Sequence, residues 1–214
     1  MLLDTGVPPI NTPMKFHTLF PTVIGHTKIK ECAFIKEKFA SKIINRFKAS
    51  SDEKAPWAAL CNTWQVNADE ELNQLFTDYL ETHVHSWFEE FCFPKIEYNV
   101  FSWVNVHTWE SYQETHYHMG DHCILCGIYN LQLNEKDRPA IFINEVPDYQ
   151  DVLCQENIKA EHHSLKDDSR KILDITEGDL ILFPPHQKHC VPCASEKHDG
   201  YRITISFNVC KRYE

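Results

Sequence analysis

No apolar run in this 214-residue chain approaches the length of a bilayer-spanning helix. The opening residues, MLLDTGVPPINTP, lack the charged segment and following apolar stretch that mark an export signal. Basic runs are missing as well. Acidic residues outnumber Lys and Arg by 31 to 21, for a formal charge of −10. Without a basic stripe to neutralise phosphates, general nucleic-acid or anionic-membrane binding is disfavoured. No internal repeat and no low-complexity tract is present. The absence of an export signal leads us to expect a cytoplasmic protein. Cysteine is the one residue in excess: there are nine, an odd count, expected to stay reduced in that compartment.

What remains is an ordinary globular mix, 43% hydrophobic and 24% charged, in a length suited to one well-cored domain over residues 1–214. Residues 1–26 read as extended and proline-punctuated, with Phe20-Pro21 as an edge strand or turn. From Lys28 to Lys48, Cys32, Ile35, Phe39, Ile43 and Phe47 recur at helical steps. A second helix is expected from an N-cap at Asn67, with Glu70 completing a capping box. Its buried face is Leu72, Leu75, Phe76, Tyr79, Leu80, Trp87 and Phe91, and Pro94 stops it. The period then changes to two. Tyr98–Val106, Cys123–Leu133, Ala140–Val146, Lys171–Ile175, Asp179–Phe183 and Tyr201–Val209 read as strands. Helices confined to residues 1–95 and strands to 96–214 predict an α+β chain that is mainly β, an antiparallel sandwich or barrel backed by helices. Pro147 to Arg170 reads as a long surface loop, a candidate lid.

The chemistry-bearing pattern is His116-Tyr117-His118, then His189, then Arg202-Ile203-Thr204. In an extended strand, residues i and i+2 face the same way, so His116 and His118 present both rings to one side. His189 follows Phe183-Pro184-Pro185, where a strand ends in a stiff turn that can aim a third imidazole back at the first two. Imidazole ligates iron, zinc, copper and nickel. In a chain with 13 histidines a single HxH pair arises readily by chance. The later histidine and the arginine beyond it give the pair its weight. Arg202, Thr204 and Ser206 share one strand face. Turned into a barrel mouth, that face would place a planar guanidinium fork opposite an anion such as a carboxylate.

The order HxH…GDLILFPPHQKH…RITISFN resembles the iron(II)/2-oxoglutarate-dependent oxygenases, and within them a small branch of marine bacteria and their phages. His17-Thr18-Leu19-Phe20-Pro21-Thr22, Trp103-Val104-Asn105 and Cys126-Gly127-Ile128-Tyr129 resemble further segments of that branch. The resemblance implies a double-stranded β-helix, the cupin-like jelly roll, with helices packed on its larger sheet. It also implies Fe(2+), 2-oxoglutarate and O2 as metal, co-substrate and oxidant, with hydroxylation of a small-molecule or peptidyl substrate and succinate and CO2 as co-products. For a phage protein the compartment would be the host cytoplasm. Carried over, His116 and His189 are the outer metal ligands, with His118 where most of the superfamily has aspartate. Arg202 and Thr204 hold the distal carboxylate of 2-oxoglutarate, and Asn105 and His107 reach the co-substrate from the preceding strand.

The third histidine departs from the usual two-histidine, one-carboxylate set. A neutral ligand there makes the site more cationic, as in three-histidine cupin dioxygenases that use no 2-oxoglutarate. Glu114 and Asp121 are the nearby carboxylates, although Asp121 has an odd offset from His116 and falls on the opposite face of a regular strand. Trp103, Trp109, Tyr112 and Tyr117 are candidate pocket walls. Two further readings stay open. One is a cupin-like binding module without catalysis. The other is structural zinc on the pairs Cys123/Cys126 and Cys190/Cys193, which are far apart and, for the first pair, expected on opposite strand faces. Both a monomer and a homodimer are compatible with the sequence.

Overall fold

The computed structural model describes residues 22–50, 62–91, 96–120, 122–143 and 170–212. The opening His17–Thr22 segment, the Phe20-Pro21 turn, Pro94, Asp121, the end of the Ala140–Val146 strand and the Pro147–Arg170 loop lie wholly or partly outside them. In chain order the described elements are β1 (Gly25–Lys28), α1 (Cys32–Ala49), β2 (Trp64–Asn67), α2 (Glu70–Leu75), a π-helical turn (Phe76–Leu80) and α3 (Glu81–Glu90). They continue with β3 (Tyr98–His107), β4 (Gln113–His116), β5 (Cys123–Gln132), β6 (Ile141–Ile143), β7 (Arg170–Ile172), β8 (Asp179–Phe183), β9 (Lys188–Val191) and β10 (Arg202–Lys211).

The strands form two hydrogen-bonded sheets, a six-stranded one in the order β1-β8-β5-β10-β3-β2 and a four-stranded one in the order β4-β9-β6-β7. Every pairing is antiparallel. The fold is thus mixed, with a β-sheet core and helices on one side. Alternation in β10 explains the layering. Ile203, Ile205, Phe207 and Val209 point to the helices and join Ile35, Phe39, Ile43, Leu72, Leu75, Phe76, Leu80, Val84 and Phe88 in one core. Cys126, Ile128, Ile181 and Phe183 face the other way and pack with Phe142 and Val191 of the smaller sheet. Arg202, Thr204 and Ser206 lie on that second face, buried between the sheets although polar.

Close approach fixes one glycine. A Cβ on Gly127 would come within 2.0 Å of the Phe207 ring, which itself meets Phe76 edge-on at 4.9 Å. Gly178 has φ +87 in the turn that feeds β8.

Several expected boundaries move. The first helix starts at Cys32, because Gly25–Lys28 pairs with β8 as an edge strand. Asn67 is the last residue of β2, opposite Trp103, and the cap of the second helix is Asp69, whose carboxylate accepts from Leu72 N at 3.0 Å. That helix contains a π turn. Its buried residues Phe76, Leu80, Val84 and Phe88 are four apart, a period that drifts against 3.6 residues per turn, and the wider turn takes up part of the drift. Phe91, expected on the buried face, is exposed. Strand β4 ends at His116, so His118 stands beyond it.

Candidate functional site

The site is built where the two sheets face each other. His116 and His189 are register partners on β4 and β9, with ring centroids 4.2 Å apart. His118 is placed differently: its backbone N–H donates to the carbonyl of Pro185 at 2.9 Å, so the Pro184-Pro185 turn anchors it. Its ring stacks on His189 with centroids 5.3 Å apart and planes 14° apart. Ligand nitrogens of His116, His118 and His189 all lie within 4.8 Å of one another. They are the one such group among the described residues.

Backbone acceptors orient two of the rings. His116 Nδ1 lies 2.8 Å from the carbonyl of Glu114, and His189 Nδ1 lies 3.2 Å from that of Gln187. Each Nδ1–H donating there leaves Nε2 as the lone-pair nitrogen, the arrangement that metal-binding imidazoles use. Phe183 closes edge-on against His189 at 4.8 Å. Burial, then the neighbouring imidazoles, holds His189 well below the usual histidine range. Burial and then His116 lower His118 to about 4. Both are therefore neutral at pH 7, as a metal requires.

The same cavity is lined by Arg202, Thr204, Asn105, His107, Gln113 and Trp103. Arg202 is 2% exposed and sits opposite His107 in the ladder. Its Nη1 donates to the Arg138 carbonyl at 2.7 Å, while its Nε has no partner among the described residues. Burial lowers this guanidinium to about 10, and Asp137 works in the opposite direction, so it stays cationic at neutral pH. A buried cation with an unfilled donor calls for an anion.

The surrounding polar groups are ordered. Asn105 Nδ2 donates to Thr204 Oγ1 at 3.1 Å and Ser206 Oγ at 3.0 Å, and its Oδ1 accepts from Gln65 Nε2. Both hydroxyls accept from Asn105, so each keeps its own proton for another acceptor. Thr63 Oγ1 donates to the Tyr112 carbonyl at 2.8 Å and therefore accepts from His107 Nδ1, 3.3 Å away. That fixes the His107 tautomer with Nε2 unprotonated. Burial, then Arg202, keeps this ring well below its normal pKa.

The sequence-predicted residues thus converge: His116, His118, His189, Arg202, Thr204, Asn105 and His107 line one cavity. Of the expected aromatic walls, Trp103 lines that cavity, while Trp109 and Tyr112 do not. Glu114 lends its backbone carbonyl, and its carboxylate is outside the ligand cluster. Among the described residues, the four CxxC cysteines join no ligand cluster either. Thr63, Gln65, Gln113, Asp137 and His198 were not foreseen. The first two ride on or beside a four-residue edge strand whose sequence, WQVN, carries too little alternation to be recognised.

Outside His118 the sheet face continues into an open cleft of about 540 Å³, lined by Asn99, Phe101, Tyr117, Met119, Asn208 and Lys211. Phe101, Tyr117 and Met119 are 58%, 53% and 64% exposed, a concentration of bare apolar surface beside the histidines.

The family model described as "Putative 2OG-Fe(II) oxygenase" matches residues 101–208, half of the chain, and spans every residue that lines the cavity. The chain belongs to the 2OG-Fe(II) oxygenase family. No curated protein matches this oxygenase. Among solved structures, its fold is similar to a prolyl-4-hydroxylase of Pseudomonas putida, with TM-score 0.60 at 10% identity over 89% of this chain and 93% of that one. It is similar to HygX of Streptomyces hygroscopicus with nickel and 2-oxoglutarate bound, with TM-score 0.56 at 12% identity, covering 90% of this chain and 84% of that one. A viral collagen prolyl hydroxylase of Paramecium Bursaria Chlorella virus-1, in its 2-oxoglutarate complex, gives 0.52 at 14% identity, covering 89% and 96%. At such identities the likeness speaks for the fold. Among the oxygenase's described residues, no helix is long and apolar enough to cross a membrane.

Proposed function

We propose that this oxygenase is an iron(II)- and 2-oxoglutarate-dependent hydroxylase whose metal is held by Nε2 of His116, His118 and His189. One observation carries the reading: three imidazoles share a cavity with a buried arginine whose Nε has no partner among the described residues. The donor set fits the group. Imidazole nitrogens suit ferrous iron, and three protein ligands leave three positions for a chelating keto acid and oxygen. With no carboxylate among the ligands, charge balance falls to the dianionic co-substrate. Iron with 2-oxoglutarate supplies an oxidant for unactivated C–H bonds, giving succinate and CO2 as co-products.

The chain's own work is binding and exclusion of water. Arg202 takes the distal carboxylate as a two-point fork, and Thr204 donates its free hydroxyl proton to the same group. Asn105 locks the Thr204 rotamer, and His107 packs beside the guanidinium as a neutral neighbour that costs it no repulsion. Phe183 and Trp103 wall the metal side. The interleaved strand order of the two sheets supports a double-stranded β-helix, formed as a single domain with its N-terminal helices. Within the family, the HxH and Trp-x-Asn segments favour the marine bacterial and phage branch.

The substrate enters by the cleft beyond His118. Its exposed apolar walls and the absence of carboxylates among the described lining residues suit an uncharged or apolar group, and disfavour a polycation. Two solved relatives are prolyl hydroxylases by name, and we infer a peptidyl or amino-acid side chain as the substrate.

A three-histidine dioxygenase without 2-oxoglutarate is the second reading, favoured by His118 itself. One anaerobic titration separates the two. Ferrous iron followed by 2-oxoglutarate should raise the visible charge-transfer band of the chelated keto acid, abolished in His116→Ala and in Arg202→Ala. Iron binding without the band would establish the second reading, and no iron binding would overturn both.

A further inference from the structure

The two-residue step between Cys123 and Leu125 on β5 is matched by a single step from Cys210 to Val209 on β10, so Ile124 is a bulge residue. The bulge overturns the expectation that Cys123 and Cys126 face opposite ways. Their sulfurs are 3.6 Å apart. It also makes Cys123 the direct register partner of Cys210, whose side chain hydrogen-bonds the Cys123 sulfur. Three reduced thiols therefore meet at one end of the larger sheet, with Cys123 half-buried at the centre and Cys126 and Cys210 buried on either side.

We propose that Cys123 and Cys210 are a dithiol site oxidised by hydrogen peroxide to a cross-strand disulfide, with Cys126 as the thiol that activates Cys123. The nearer sulfur is not the bridging partner. Cys126 is a neighbour along the same bulged strand and not a register partner of Cys123. A disulfide tolerates Cα atoms up to roughly 7 Å apart. Antiparallel register partners lie about 4.5–5.5 Å apart, within that limit. The hydrogen bond with Cys126 lowers the Cys123 pKa most, burial opposes it, and Cys210 adds a smaller lowering, while the Cys123 thiol also reaches the Leu125 carbonyl at 3.5 Å. Cys126 itself is pushed up by the same hydrogen bond and by burial, and so remains a protonated donor. A partly exposed, acidified thiol with a resolving thiol beside it is the arrangement that peroxide oxidation selects.

The chemistry balances in two steps. The Cys123 thiolate attacks one peroxide oxygen, the O–O bond breaks, and water leaves after proton uptake, giving the sulfenic acid. The Cys210 sulfur then attacks the Cys123 sulfur, the S–O bond breaks, and a second water departs as the S–S bond forms. Two thiols lose two electrons, and one peroxide gains them. Because Cys210 also lines the cleft that carries Phe101 and Tyr117, the bridge would lie in that cleft's wall. The proposal rests on strand register and the thiol contacts, and stands whatever metal the histidines hold.

The test uses the full chain with nickel in place of iron, so that peroxide meets no redox-active metal, and stoichiometric hydrogen peroxide. The expected product is about 2 Da lighter, yields one disulfide-linked peptide pair joining Cys123 to Cys210, and returns to starting mass with dithiothreitol. Cys126→Ser should form the same bridge several-fold more slowly. Cys210→Ser should instead trap the Cys123 sulfenic acid as a dimedone adduct. A Cys123–Cys126 bridge, or oxidation of Cys190 and Cys193 that leaves Cys123 and Cys210 as thiols, would overturn the proposal. Equal yields of bridge in native protein and in denaturant would also overturn it, because the register would then contribute nothing.

Discussion

His198 Nε2 lies 3.0 Å from Asp137 Oδ1, with side chains only 13% and 4% exposed, and this contact stands behind Arg202. The other Asp137 oxygen accepts from the backbone and side-chain amides of Asn134 at 2.8 and 3.1 Å. The turn so formed presents the Arg138 carbonyl to Arg202 Nη1. Asp137 also favours the charged guanidinium. Both residues are thus positioning groups for Arg202. His198→Ala should raise the KM for 2-oxoglutarate about tenfold, the lower end for a lost outer-shell partner, with kcat at saturation little changed. His198→Gln, which keeps a donor, should recover most of the loss. A lower melting temperature with an unchanged KM would show that the contact is structural only.

Arg202 itself gives a sharper outcome. Charged hydrogen bonds contribute about 1.5–3 kcal/mol each, so losing one arm of a fork costs roughly tenfold to a hundredfold in affinity. Arg202→Lys keeps the charge but replaces a planar fork with a point donor. It should therefore weaken 2-oxoglutarate binding in that range while nickel affinity at the histidines stays within twofold. Calorimetry with each ligand in turn checks both halves. A parallel loss of metal binding would mean that Arg202 supports the histidine cluster instead.

Legibility in the sequence followed local signals. Alternation in Arg202–Val209 placed the polar triplet on one face, and the structure buries it between the sheets. His116, His118 and His189 could be grouped because an HxH pair and a Pro-Pro turn are local patterns. The mechanism of their meeting was not local: His118 is held through its own N–H by Pro185 rather than by strand geometry. Thr63 and Gln65 escaped because β2 is short and joins the sheet only through its register with β3. The thiol cluster escaped for a related reason. A single bulge at Ile124 reverses the face of Cys123, and no residue type in the strand announces it.

Packing at Gly127 predicts a stability effect. A methyl group there would meet the Phe207 ring at 2.0 Å, and that ring is wedged against Phe76 in the helix-facing core. Gly127→Ala must therefore displace an aromatic side chain with no room to give, an overpacking that costs about 1–3 kcal/mol. Chemical denaturation should show a lowered midpoint. Wild-type stability in this variant would mean that Phe207 has a second rotamer to occupy.

Buried His107 and His189, with half-buried His118, make the metal-free protein acid-sensitive, and the sign follows from their direction of shift. Burial lowers His118 to about 4 and holds His107 and His189 well below the usual range. In the unfolded chain each returns to about 6.5. Between those limits the unfolded state binds more protons than the folded one, so stability rises with pH across that window. The contribution is fully present above about 6.5 and is lost as the pH falls toward the folded values. Thermal melts of apo-protein should therefore show a falling Tm from pH 7.5 to 5. His107→Gln should flatten the slope, because it removes one titrating group while keeping an amide that can donate to Thr63. Nickel should raise Tm at pH 7.5 far more than at pH 5, where protons compete for the same Nε2 atoms. A Tm independent of pH over this interval would mean that these rings are hydrated in solution, and the closed histidine cavity would have to be abandoned.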